Sequence, residues 1–264
     1  MSAEPFDRAE PFDRGARRMR RDRAARAFAR VGDLHEHVAG ELAARLAQDG
    51  RHYAHALDLG AYDGRLALPA ARVTRVDAGY AFARAGGGVQ ADEDRLPFAD
   101  ASFDLIASAG ALHGVNDLPG CLVQCRRALR PGGRFMAVFP GGDTLGALRR
   151  ALFVAEEAVT GGVTPRVHPM VDPAEAPGLL QRAGFREPVV DVEPLRLRYR
   201  DLAALVRDLR AGGETNVLQA RGPSFTRDVR AAATAAFAAL GRADGSVVVD
   251  VQLIYCAARV SGGT

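Results

Sequence analysis

A doubly wound α/β fold around a mostly parallel sheet is predicted by three observations. Short apolar strands alternate with helical stretches from about residue 51 to residue 140. The first strand ends in Ala56-Leu57-Asp58-Leu59-Gly60-Ala61-Tyr62-Asp63-Gly64, an apolar run closed by an acid and a glycine-bearing turn. Acids close the next two strands as well, Asp77 after Arg72–Val76 and Asp92 after Gly88–Ala91. Ligands of such sheets sit outside the carboxyl ends of the strands, so these acids are expected around one pocket.

From the amino end, residues 1–15 read as a flexible arm, because the tandem repeat Ala3-Glu4-Pro5-Phe6-Asp7-Arg8 and Ala9-Glu10-Pro11-Phe12-Asp13-Arg14 is dense in proline and charge. Residues 16–50 read as helices. The first is arginine-rich and suits either contact with an acidic partner or anionic membrane surface, or a solvated helix packed on the fold. The second carries Leu34, Val38, Leu42 and Leu46 on one face. Residues 51–142 form the ligand-binding core, whose fifth strand is expected at Arg134–Phe139 after the turn Pro131-Gly132-Gly133. Residues 143–264 complete the sheet. A helix capped by Asp143 or Thr144 runs to about Val159, and a loop with four prolines comes next. Strands at Pro188–Tyr199 and Val247–Ala257 flank two helices, near Asp201–Arg210 and Ser224–Leu240, that would form a substrate cap.

Composition narrows the function classes. With 48% hydrophobic and 25% charged residues in 264, the chain reads as a soluble globular protein. No apolar run approaches the roughly 18 residues of a membrane span, although peripheral contact is compatible with the arginine-rich helix. All basic residues are arginine. Residues 1–30 hold nine arginines and five acids, a net of +4 against +3 for the whole chain, so the remainder is near −1. The basic balance is an end effect, and no nucleic-acid footprint is expected. Cys121, Cys125 and Cys256 suit small core positions better than a disulfide or zinc set, and no histidine–carboxylate cluster has metal spacing. A cytoplasmic location is expected.

The spacing states its own chemistry. Gly60 and Gly64 let the first strand turn sharply while backbone approaches a ligand, and the amides just after them favour a carboxylate. Asp77 can accept from ribose hydroxyls, and Asp92, with Glu93 beside it, from an adenine amino group. Leu96-Pro97-Phe98, Ser102–Ile106 and Leu129–Phe135 come after them at the distances seen in one superfamily. This ordered set resembles the class I S-adenosylmethionine-dependent methyltransferases, which implies a Rossmann-like seven-stranded sheet and S-adenosylmethionine as cofactor. Tyr62 departs from that pattern by replacing its middle glycine. A tyrosine resists positive φ, so either the turn is remodelled with the ring walling the pocket or cofactor binding is weakened.

The resemblance narrows outside the core. Leu112–Pro119, Gly141–Leu145, Thr164–Pro169 and Gly213-Glu214-Thr215-Asn216 are similar to the respiratory complex I assembly-factor family, whose mitochondrial member is described as an arginine hydroxylase. They resemble, more distantly, the malonyl-carrier-protein methyltransferase of biotin synthesis. Further departures are Gly114, where the family has tryptophan, and Ala258-Arg259, where it ends in Gly-Trp. The resemblance implies a small-molecule or protein acceptor, with a complex I subunit among the candidates. His113, just past the fourth strand, is the first candidate for a substrate-side polar group, and Asp143 the second. Three functions remain open: methyl transfer, arginine hydroxylation, or a binding factor with a degenerate cofactor site. Hydroxylation would need a redox metal or organic cofactor.

Overall fold

The computed structural model describes residues 10–48 and 50–262. One sheet has the order β3-β2-β1-β4-β5-β7-β6. Its strands are β1 (Tyr53–Leu59), β2 (Ala70–Asp77), β3 (Val89–Gln90), β4 (Phe103–Ala109), β5 (Leu129–Gly141), β6 (Arg186–Tyr199) and β7 (Val247–Arg259). The first five pair in parallel. β7 runs antiparallel to both β5 and β6. The seven-stranded Rossmann-like methyltransferase sheet expected from sequence is the sheet that forms.

Both faces are covered, which explains why the central strands are almost continuously apolar. Leu57, Leu59, Ile106, Phe135 and Ile254 pack on one face against α4 (Leu118–Ala128) and α6 (Ala176–Arg182), with Cys121 and Cys125 fully buried among them. Ala56, Leu105, Met136 and Leu253 pack on the other against Val38, Leu42 and Leu46 of α2 (Gly32–Ala47). Asp58 shares a face with Ala56 because side chains alternate along a strand. The helices between β6 and β7, α7 (Leu202–Gly212) and α8 (Arg227–Ala238), bury Leu205, Val229, Ala233 and Phe237; they share an apolar cluster with α5 (Gly146–Thr160) and the start of β7.

Three local features differ from expectation. β5 begins at Leu129, five residues early, because Pro131-Gly132-Gly133 is absorbed as an irregularity within the strand. α5 takes neither predicted cap: Leu145 precedes it at φ 62 with no side-chain cap bond, and its amide donates to the Asp250 carbonyl of β7. The arm expected over residues 1–15 is docked from Glu10 onward, with Phe12 buried and α1 (Arg14–Ala24) starting directly after Asp13. Residues 1–9, which include the first repeat, lie outside the described residues. Among the described residues no helix is long and apolar enough to cross a membrane.

Candidate functional site

β1, β2 and the segment after β3 deliver their acids to one place, and α1 lies across it. Arg14, Arg17, Arg18 and Arg21 recur at i, i+3, i+4 and i+7, so they share one helix face. That face meets Asp77, Asp92, Glu93 and Asp94. Arg21 donates to both oxygens of Asp77, with Nε at 2.9 Å, and Arg17 donates to both of Glu93, at 2.6 and 3.0 Å. Arg18 forks onto Asp92 at 2.9 and 2.6 Å, while Arg14 reaches Asp94 and Asp92. Asp77 and Glu93 are completely buried and Arg21 is 2% exposed. Burial disfavours the Arg17 and Arg21 charges, but the carboxylates of Glu93 and Asp77 outweigh it and raise both pKa values. Burial likewise works against ionised Asp92 and Asp94, yet Arg18 and Arg14 hold both below the ordinary carboxylate range.

Glycines clear the way for this helix. A Cβ on Gly79 would strike Arg21, and one on Gly114 would lie 3.1 Å from Arg17 Nε. The bulk expected at residue 114 is absent where Arg17 passes.

Tyr62 is the second occupant. At φ 49 it keeps the turn's left-handed backbone despite its side chain, and its amide donates to Asp77 at 2.9 Å. The ring stacks on Phe28, meets Phe82 edge-on, and lies 3.9 Å beneath the Arg21 guanidinium. Its hydroxyl reaches the Gly110 carbonyl and Glu214, each at 3.1 Å.

Glu214 joins this wall to His113. Its other oxygen is 2.7 Å from His113 Nε2. Nδ1 of the same ring is buried and has no hydrogen-bond partner. Burial raises the Glu214 pKa, but His113, Arg21 and His168 overcome it and hold the carboxyl below its ordinary value. His168, 6.4 Å away between ring centres, is pushed down to about 4 by burial and by His113. Arg17, Arg21, His113, His168 and Glu214 line one hollow.

Other candidates fall elsewhere. Asp143 is 80% exposed and pairs with Arg149, a contact belonging to neither cluster. Gly64 backs onto the Arg75 side chain. Asp58, Gly60 and Tyr62 line a second hollow. Among the described residues no group of three or more His, Cys, Asp or Glu could hold a metal ion. Sequence reasoning named the acids but missed the arginines that face them, although their i, i+3, i+4, i+7 spacing was the available signal.

Asp58 gives a pH prediction. Burial pushes its carboxyl up to about 7, against the opposing charge of Arg75, from an ordinary 3.8. A folded pKa above the unfolded one means that the native state binds this proton more tightly. Keeping Asp58 therefore costs nothing below about pH 4 and its full amount above about pH 7. Asp58→Asn should gain stability over the parent as pH rises through that window and gain no more beyond it. His35, pushed down to about 4 by burial, works in the opposite sense but is common to both proteins. Thermal melts across the window check this, and a pH-independent difference would refute it.

The residues fit a cationic, ribose-bearing ligand in kind. Gly60 at φ 74 forms a cradle where a Cβ would collide with Ala111, Asp58 Oδ2 is buried without a hydrogen-bond partner, and three further acids converge beside them. Arg21, Arg17 and Tyr62 occupy that place.

Comparison with known proteins agrees with this fold. Residues 39–137 match the model of the methyltransferase domain. The chain is 34% identical to the human protein named arginine-hydroxylase NDUFAF5, mitochondrial, across 92% of this chain and 75% of that one. It is 32% identical to a malonyl-[acyl-carrier protein] O-methyltransferase of Laribacter hongkongensis, across 89% and 85%. The structure of YcgJ from Bacillus subtilis shares the fold, with a TM-score of 0.59 at 16% identity over 86% of this chain and 99% of that one. The fold and these relatives define a class I S-adenosylmethionine-dependent methyltransferase fold. The chain belongs to the methyltransferase-domain family that also holds the NDUFAF5 and malonyl-carrier-protein relatives.

Proposed function

We propose that the protein binds S-adenosylmethionine at the carboxyl ends of β1–β3 and transfers its methyl group to an acceptor beside His113. The observation that carries this reading is the convergence of Asp77, Asp92 and Glu93, all buried and all held by cations, next to the Gly60 cradle. Bound S-adenosylmethionine supplies an electrophilic methyl on a cationic sulfonium. Asp77 would hold its ribose, Asp92 and Glu93 its adenine end, and Gly60 the approach of backbone. On the acceptor side, a neutral His113 that gives Nε2–H to Glu214 would offer Nδ1 as the base, and Glu214 would stabilise the imidazolium formed when it takes a proton. Methyl transfer asks mainly for alignment and exclusion of water, which the buried walls supply. The reading includes a cytoplasmic location for the protein, where its free buried cysteines stay reduced.

The relatives' names point to two reactions, methyl transfer to a malonyl group on an acyl-carrier protein and hydroxylation of an arginine; the resemblance to the complex I assembly-factor family makes a complex I subunit the candidate for the second. A second reading, a binding factor with a closed site, is favoured by Tyr62 and by the arginines seated on the acids.

Calorimetric titration with S-adenosylmethionine tests the first reading. The intact protein should bind in the micromolar range, and Arg21→Met should bind about tenfold more tightly, equivalent to about 1.4 kcal/mol, because Asp77 is freed. Absence of binding by both proteins would leave the second reading.

A further inference from the structure

The second copy of the terminal repeat is held as a recognised peptide, side chain by side chain. Pro11–Asp13 adds to the 217–219 segment as a short antiparallel strand: Asp13 N donates to the Val217 carbonyl at 2.7 Å, and Gln219 N donates to the Pro11 carbonyl at 2.8 Å. Asn116 grips the Phe12 backbone from the other side, accepting from its amide at 2.7 Å and donating to its carbonyl at 3.1 Å. The Phe12 ring is buried with Val217 and Leu218 and lies 4.9 Å from the His168 ring. Charges complete the fit: Glu10 on Arg95, Asp13 on Arg221, and Arg14 on Asp94. This is strand addition with pockets and charges reading the side chains.

Residues 3–8 repeat residues 9–14 without a change. Every group that the seat reads in Glu10, Pro11, Phe12, Asp13 and Arg14 is present again in Glu4, Pro5, Phe6, Asp7 and Arg8. The two copies cannot be seated together, and the residues directly after each copy differ. A chain seated by its first copy is shifted by six residues, which puts Pro11 where Arg17 stands, Phe12 where Arg18 stands and Gly15 where Arg21 stands. Pro11 would fall where the Arg17 amide now donates to the Asp13 carbonyl at 2.9 Å. A proline there forfeits that bond and clashes with the turn before it, so α1 cannot form in that register. The arginines would leave Asp77 and Glu93.

We propose that the Phe12 seat is an exchangeable docking site for the pentapeptide Glu-Pro-Phe-Asp-Arg, filled by residues 10–14 when α1 closes the acids and by residues 4–8 when a cationic ligand takes them. The coupling to a ligand rests on the cofactor reading above; the exchange of copies does not. Since both copies offer the seat the same groups, the seat itself favours neither state. The balance is set by what neutralises the buried acids, α1 or the ligand, and a ligand that needs those acids shifts it.

Amide hydrogen exchange on the full chain and three variants, Phe6→Ser, Phe12→Ser and both together, tests this. The Gln219 amide reports a filled seat, and the amides of Arg18–Ala24 report α1. Phe6→Ser should leave both protected. Phe12→Ser should keep Gln219 protected by the first copy while α1 exchanges at least about tenfold faster. The double variant should lose both. If Phe12→Ser exposes Gln219 as fully as the double variant does, residues 4–8 do not use the seat and the proposal is overturned. Adding S-adenosylmethionine to the unaltered chain should speed α1 exchange with Gln219 still protected. If the ligand binds and α1 stays protected, the coupling is wrong. If the ligand does not bind but Phe12→Ser behaves as expected, the exchange of copies stands and only the cofactor reading fails.

Discussion

Asp77→Ala should lower stability by about 3–5 kcal/mol and abolish S-adenosylmethionine binding in the same protein. The carboxylate is fully buried, receives a forked pair from Arg21, and also accepts from the Tyr62 and Gly79 amides at 2.9 and 2.8 Å. Removing it strands a buried guanidinium and two amides, and breaking one side of a buried ion pair costs about 3–5 kcal/mol. At a few degrees per kcal/mol for a chain of this size, the melting temperature should fall by roughly 10 °C. Urea unfolding and calorimetric titration of the same sample check both parts. A loss below about 1 kcal/mol would mean that Arg21 swings out to water and that the pair does not anchor α1. Pairing Asp77→Leu with Arg21→Met should restore much of the stability, because an apolar pair of similar volume replaces a buried ion pair at little cost. It should leave the loss of ligand binding unrepaired.

Tyr62→Gly carries the other large effect, and its two consequences have opposite sign. The ring is 3% exposed and packs on Phe28 and Phe82, so removing it should cost about 3–5 kcal/mol, as for other large aromatic truncations. Glycine accepts φ 49 without strain and returns roughly 1 kcal/mol of this. Cofactor binding should strengthen, because the space beside Asp58 and Gly60 opens and Arg21 loses the ring beneath it. Tyr62→Phe is the control. It removes only the hydroxyl contacts with Gly110 and Glu214, for about 1 kcal/mol, and leaves the wall standing. Equal affinities for the glycine and phenylalanine variants would show that the ring does not limit access.

The sheet, the glycine turn and the acids were legible because each is a local pattern. An apolar run ending in Asp-Leu-Gly has few structural uses, and parallel strands closing on acids place those acids together by topology alone. The occupants of the site were not legible. The match of Arg17 to Glu93 and Arg21 to Asp77 joins residues 76 and 56 positions apart, and the spacing that puts these arginines on one helix face does not say what that face will meet. Of the arm, the part from Glu10 onward departs from what its prolines and charges predict. Phe12 supplied enough burial to anchor it, and the charges were matched by Arg95, Arg221 and Asp94 across the fold. The missing caps of α5 have a similar cause, since contact with β7 at Asp250 replaced a local signal. Two departures from the family pattern, Tyr62 and Gly114, make sense together once α1 is in place. One supports the Arg21 guanidinium and the other gives Arg17 its path.

The arginine face of α1 also determines which denaturant can measure this protein. Its hold on the fold is a set of guanidinium ions resting on carboxylates, and guanidinium chloride is a concentrated solution of the same ion. That salt competes for Asp77, Asp92 and Glu93 as a ligand before it acts as a solvent, so its unfolding curve mixes displacement of one helix with loss of the core. Urea has no charge to offer those acids, so its curve carries no such competition and reports α1 and the core by their unfolding.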